Sequence, residues 1–220
     1  MESFKFVDFR LGTIVAVRDN IKARKPAYVV EVDLGSTIGI KTTSAQLTTN
    51  YTKESLLSKQ VFCVVNFPRR NIAGVQSEVL MIGFPDSNGH VSLLNARSQR
   101  ILNGTSIVFN ENEVQCAASA LPETSYEKFE EGNVIAGSIM ECSNEDILTR
   151  LMIDFGETVG LRTLFIANLS PDIEYSLLTS VAASIDFKAD KIIPLTIRNS
   201  NGLLVLLGVD QQVPNGGKLF

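Results

Sequence analysis

The chain has no tryptophan, one histidine and three cysteines in 220 residues, and each shortage removes a class of function. The lone His90 abuts an Asn88-Gly89 turn, so no serine or cysteine triad can be assembled around it. Cys63, Cys116 and Cys142 are odd in number and irregularly spaced, which implies neither a disulfide framework nor a zinc site. No apolar run reaches the roughly 18 residues of a membrane span. The longest, at 202–209, has the length of a strand. The first residues lack the basic patch and apolar block of a signal peptide, so a reduced, cytoplasmic setting is expected. The glycines from Gly35 to Gly39 lack the spacing and the Lys-Ser/Thr ending of a phosphate-cradling loop. These absences predict a protein that is not an enzyme and holds no metal or cofactor.

The net charge of −4 conceals an asymmetry. Residues 1–110 carry 13 Lys and Arg against 8 Asp and Glu, a balance of +5. Residues 111–220 carry 7 against 16, a balance of −9. Such a split assigns different tasks to the two halves.

The halves also resemble each other. VDLGSTIGIKTT at 32–43 aligns without gaps to IDFGETVGLRTL at 153–164, with five of twelve positions identical and five conservative. Collinear matches follow, from Ala45-Gln46-Leu47-Thr48 against Ala167-Asn168-Leu169-Ser170 to Asn103-Gly104 against Asn215-Gly216. The expected organisation is a first domain at 1–110, a polar linker at 111–124 and a second, degenerate copy at 125–220.

Each copy reads as mostly strand. In the first, short runs rich in Val and Ile lie at 12–17, 27–33, 38–42, 60–66, 79–83 and 91–94. One helix is predicted at 52–59, with Thr52 as its N-cap and Glu54 in its first turn. Its counterpart is predicted at 171–178. An all-β chain of two tandem OB folds fits this order, each a five-stranded Greek-key barrel with a short helix between strands three and four. On pattern alone SH3-like and other small barrels fit as well.

The residues suited to RNA lie in the first copy. Arg69 and Arg70 follow Pro68, which limits the freedom of their loop, and their guanidinium groups suit bidentate contact with phosphates. Lys41, Ser44 and Gln46 supply a charge and hydrogen-bonding groups near the third strand. Asn66 and Ser77 flank the arginine loop, and Lys22, Arg24 and Lys25 cluster after the first strand. Glu78 is placed to orient Arg70 or to solvate a strand start. Phosphate contacts would set affinity and the Asn and Gln side chains any base preference. Without tryptophan there is no evident stacking platform, and Phe67 reads as core as readily as platform. That favours a structured RNA over generic single strands.

FRLGTIV at 9–15, GIKTTSAQLT at 39–48 and VVNFPRRNIAGVQSEVL at 64–80 resemble the tRNA-binding domain family, most closely its CsaA branch of export-related chaperones. The resemblance covers residues 4–109 closely and 125–220 weakly. It implies an OB fold, a tRNA partner bound through the arginine loop, and dimerisation. The family's Pro-Pro-Arg stretch is Pro68-Arg69-Arg70 here, followed by Asn71. Family members pair as separate chains, whereas both copies lie in this one. The expectation is therefore an intramolecular pseudo-dimer, the alternative being a homodimer formed through the first copy.

The second copy has Asp186 in place of Asn66 and Lys188-Ala189-Asp190 in place of Pro68-Arg69-Arg70. Phe165 falls opposite Ser44 or, with a one-residue shift, beside it, and the segment from Ile72 to Glu78 has no counterpart. The apolar strands persist while the basic site is lost, which suits a scaffold. The expected function is non-catalytic tRNA binding. The alternatives are a CsaA-like chaperone holding unfolded polypeptide and a docking protein.

Overall fold

Apolar and polar residues alternate along 30–33, and this period of two sets the first sheet. The computed structural model describes residues 6–96, 101–108, 121–130, 133–145, 148–171, 180–187 and 190–220. In the first half, β1 (Phe9–Asp19), β2 (Tyr28–Asp33), β3 (Ile40–Ala45), the short helix α1 (Lys53–Leu56), β4 (Gln60–Val64), β5 (Arg70–Ile72), β6 (Val75–Ser77), β7 (Leu80–Met81), β8 (Gly83–Pro85) and β9 (Val91–Asn95) follow in turn. One antiparallel sheet runs β3-β2-β1-β4-β7. β1 serves both sides of it, and Thr13 pairs with Asp33 on β2 and with Gln60 on β4. A register break between Ile14 and Ala16 marks a bulge, which increases twist and curls the sheet towards a barrel. Val30, Val32, Leu47, Leu56, Val61, Cys63 and Leu93 fill its interior.

The second half opens with α2 (Tyr126–Glu130). It continues through β10 (Val134–Glu145), β11 (Leu148–Asp154), β12 (Leu161–Ala167), β13 (Val181–Asp186), β14 (Lys191–Pro194), β15 (Thr196–Arg198), β16 (Leu204–Leu206) and β17 (Gly208–Val209). Its core holds Leu151, Ile153, Phe155, Ile166, Val181, Ala183 and Leu206. Bonds recur between the halves. Gly39 N donates to Gly35 O at 2.7 Å, and Gly160 N to Gly156 O at 2.6 Å. All four glycines have φ between 74° and 83°, a backbone that a side chain would strain. Asn103 Nδ2 donates to Asp33 at 3.2 Å, as Asn215 Nδ2 does to Asp154 at 3.0 Å. The bulge recurs too, between Ile139 and Glu141.

A third core lies between the halves. β4 is apolar along 61–64 because both its faces are covered. Val61 and Cys63 point into the first barrel, while Phe62 and Val64 join Phe9, Leu11 and Leu94 against Val134, Ala182, Leu195 and Leu207 of the second half. Two strands meet there: β9 pairs β17 antiparallel, Asn95 with Gly208 and Leu94 with Val209. The sheet β12-β11-β10-β13-β17-β9-β8 thus runs through both halves. The ends of the halves cross over as well. Val108 N donates to Thr196 O at 2.7 Å, and Phe220 exchanges two backbone bonds of 3.1 Å with Gly83.

The chain is nearly all β, as expected, with an OB-like barrel. Several details differ. The helix predicted at 52–59 forms only at Lys53–Leu56, with Thr52 accepting from Ser55 N at 3.2 Å as its cap. The helical piece expected at 171–178 lies, beyond Pro171, outside the described residues, as do linker residues 111–120. The linker's last residues are bound rather than loose. Thr124 N donates to Asn66 O at 2.9 Å, and Leu121 N approaches Asp8 at 3.4 Å. The helix α2 was not foreseen. Among the described residues no helix is long and apolar enough to cross a membrane.

Candidate nucleic-acid interface

The arginines stand at the base of a tight hairpin. β5 pairs β6, Arg70 with Ser77 and Ile72 with Val75. The turn residues Ala73 and Gly74 have φ of 49° and 81°, and two left-handed residues are what the primed two-residue turn of a hairpin requires. Asn71 Oδ1 accepts from Gly74 N at 2.9 Å and closes the turn. Glu78 fastens the hairpin to the edge of β3. Its N–H donates to Thr42 O at 2.8 Å, and its carboxylate accepts from Thr42 N at 3.1 Å.

The same carboxylate lies 3.2 Å from Arg69 Nη2 and 3.8 Å from Lys41 Nζ. Glu78 therefore orients Arg69, not Arg70 as the sequence suggested. Arg70 lies over the ring of Tyr126, its guanidinium carbon 5.7 Å from the centroid. Tyr126 belongs to α2 and is edge-on to Phe67 at 5.9 Å; Phe129 is edge-on to Phe67 at 6.0 Å. Phe67 is half-buried, wedged between core and surface. The Glu127 carboxyl sits below the usual range because a first-turn backbone N–H and Ser125 hydrogen-bond it, with the Arg70 charge a smaller cause.

The structure divides the ten expected contact residues. Arg69, Arg70, Lys22, Arg24, Lys25 and Gln46 are exposed. Lys22 is brought to the hairpin, where a Cβ on Gly74 would meet its Cδ at 3.1 Å. Lys41 is half-buried beside Glu78, and Ser44 accepts from Asn20 Nδ2 at 2.9 Å. Two residues are turned inward, contrary to the expectation of RNA contacts. Asn66 is 7% exposed; it accepts from Asp8 N at 2.9 Å and donates to Phe6 O and Pro122 O at 2.8 Å each. The Ser77 hydroxyl is 2.7 Å from Thr43 Oγ1 and donates to Val79 O at 3.2 Å. Both have their bonds filled from within.

Sequence reasoning missed Glu123, which comes to the site from the end of the expected linker, and Tyr126, which comes from just beyond it. The spacing of Tyr126 and Phe129, one helical turn apart, was the available signal. Among the described residues no cluster of His, Cys, Asp or Glu is arranged to hold a metal ion.

In the second half Arg150 pairs with Phe165 as Val29 pairs with Ser44, so an exposed phenyl group stands where the first half has a hydroxyl. Asp190, which the sequence alignment sets against Arg70, lies 3.6 Å from Arg162.

Residues 9–105 match the family model described as a putative tRNA binding domain. The chain is also 40% identical to the CsaA chaperone protein of Picrophilus torridus, with 49% of this chain and 96% of that one covered and a TM-score of 0.45. Residues 9–105 belong to the tRNA-binding domain family. Within it, 93 residues are 37% identical to the methionine--tRNA ligase of Pyrococcus horikoshii, spanning 42% of this chain but 12% of that protein. The C-terminal domain of Plasmodium vivax p43 shares the fold over 100% of both chains, with a TM-score of 0.58 at 14% identity. The arginine hairpin, Lys41 and the loop carrying Lys22 all lie inside the segment that defines the family.

Proposed function

We propose that the chain is a non-catalytic tRNA-binding protein whose basic surface, in its first half, grips a structured RNA. The supporting observation is the pair Arg69 and Arg70. They are exposed side by side on a hairpin fixed at its turn, at its edge and beneath Arg70. Prearranged guanidinium groups lose little freedom when they bind RNA. Arg70, Lys22, Arg24 and Lys25 supply charge, and Gln46 a hydrogen-bonding edge. The second half serves as a built-in pairing partner for the first, in place of a second chain. Its acidic balance keeps RNA to one face of the molecule.

The test is a titration with total tRNA at several salt concentrations. Each phosphate neutralised adds about 0.9 to the slope of log affinity against log salt. Arg69→Ala/Arg70→Ala should weaken binding and flatten that slope by about one, since the Arg69 charge is already paired with Glu78. Absence of binding at low salt would overturn the proposal.

One observation favours the holding of an extended polypeptide instead. In the sequence alignment the Ile72–Glu78 segment that covers the edge of β3 has no counterpart in the second half, and among the described residues β12 pairs only with β11. This edge carries exposed Leu161 and Phe165 two residues either side of Thr163. An open edge with apolar side chains in alternation suits an added strand. Binding of that kind tolerates salt, so the same titration, repeated with an unfolded polypeptide, separates the two readings.

A further inference from the structure

Beside the arginine hairpin lies an open cleft of about 380 Å³ lined by Lys41, Val65, Phe67, Arg69, Glu78 and Glu123. Its volume falls at the small end of ligand clefts. Its charges balance, two cations against two carboxylates, and Glu78 already lies between Lys41 and Arg69. A phosphate gains little from such a lining. A neutral planar group with donors on one edge and acceptors on another gains more, and Val65 and Phe67 offer it an apolar wall.

Glu123 sets the choice of group. Its neighbours are pinned on both sides by one residue: Pro122 O accepts from Asn66 Nδ2 at 2.8 Å, and Thr124 N donates to Asn66 O at 2.9 Å. The backbone is thus fixed while the Glu123 side chain stays exposed. A positioned carboxylate accepts best from two adjacent N–H groups. Guanine presents such a pair, N1–H and the 2-amino group, and its O6 and N7 accept from arginine. Cytosine and adenine place a ring acceptor beside their amino group, and uracil places carbonyls on both sides of its one N–H.

We infer that this cleft is a subsite for one unpaired guanine base of the bound RNA, with Glu123 reading its Watson–Crick edge and Arg69 its acceptors. The inference rests on the RNA-binding reading above and adds a base to it.

The experiment titrates the full chain with guanosine, inosine, adenosine and uridine to about 10 mM, read by NMR shifts and by competition with labelled tRNA. Inosine differs from guanosine only in lacking the 2-amino group. Guanosine should bind about tenfold more tightly than inosine, the cost of one hydrogen bond to a charged group. Glu123→Gln should abolish most of that difference with an unchanged melting temperature. If tRNA binds but guanosine is not preferred, the subsite is overturned and RNA binding stands. If guanosine is preferred but tRNA does not bind, the subsite stands without the RNA reading. If neither binds, both fall.

Discussion

The ring of Tyr126 lies under the guanidinium of Arg70, so a residue from beyond the linker steadies a cation of the first half. Tyr126→Leu keeps an apolar side chain against Phe67 while removing the electron-rich face. It should weaken tRNA binding by about two- to fivefold, the worth of an exposed cation–π contact. Fluorescence anisotropy at fixed salt would measure this. An unchanged salt slope would separate it from the loss of Arg70 itself.

The Asn66 side chain ties together the backbone of two segments, at Phe6 and Asp8 and at Pro122. Asn66→Ala leaves buried donors and acceptors unmatched, at a cost of about 2–3 kcal/mol. Thermal unfolding should show a clear fall in Tm, with tRNA affinity retained at temperatures where the variant is folded. A loss of affinity with no loss of stability would make Asn66 an RNA contact after all.

Asp210 of the second half accepts from Asn95 and Lys59 of the first, the latter at 3.2 Å. Asp210→Ala should cost about 1–3 kcal/mol by removing an acceptor that both partners use. Because these bonds cross between the halves, calorimetry should still show one transition, shifted downward. Two separated transitions would mean that each half unfolds alone.

Burial pushes the Cys63 thiol well above its ordinary range, whereas Cys142 is exposed, its thiol raised by partial desolvation. Alkylation of the native protein at pH 8, followed by mass spectrometry, should modify Cys142 and spare Cys63. In denaturant both should react. Modification of Cys63 at the native rate of Cys142 would show that β4 opens readily.

The strands were legible because apolar residues must be covered. The unbroken run at 61–64 marks a strand buried on both sides, and the structure puts a barrel on one face and the other half on the second. The arginine pair was legible from residue type and from Pro68. The inward turn of Asn66 and Ser77 was not, since a polar side chain beside a binding loop looks the same whether it meets RNA or backbone. Tyr126 and Glu123 were hidden for another reason. Glu123 ends a stretch whose composition reads as a linker and Tyr126 follows it directly, and nothing local says that this segment folds back onto Asn66.

The strand pairing of Asn95 with Gly208 joins two halves of one polypeptide. An assembly of separate chains dissociates on dilution, and its stability depends on how much of it is present. Here the partner travels at a fixed, high local concentration. The surface built across the halves therefore stays assembled however scarce the protein becomes, and each half is free to change without the other changing with it.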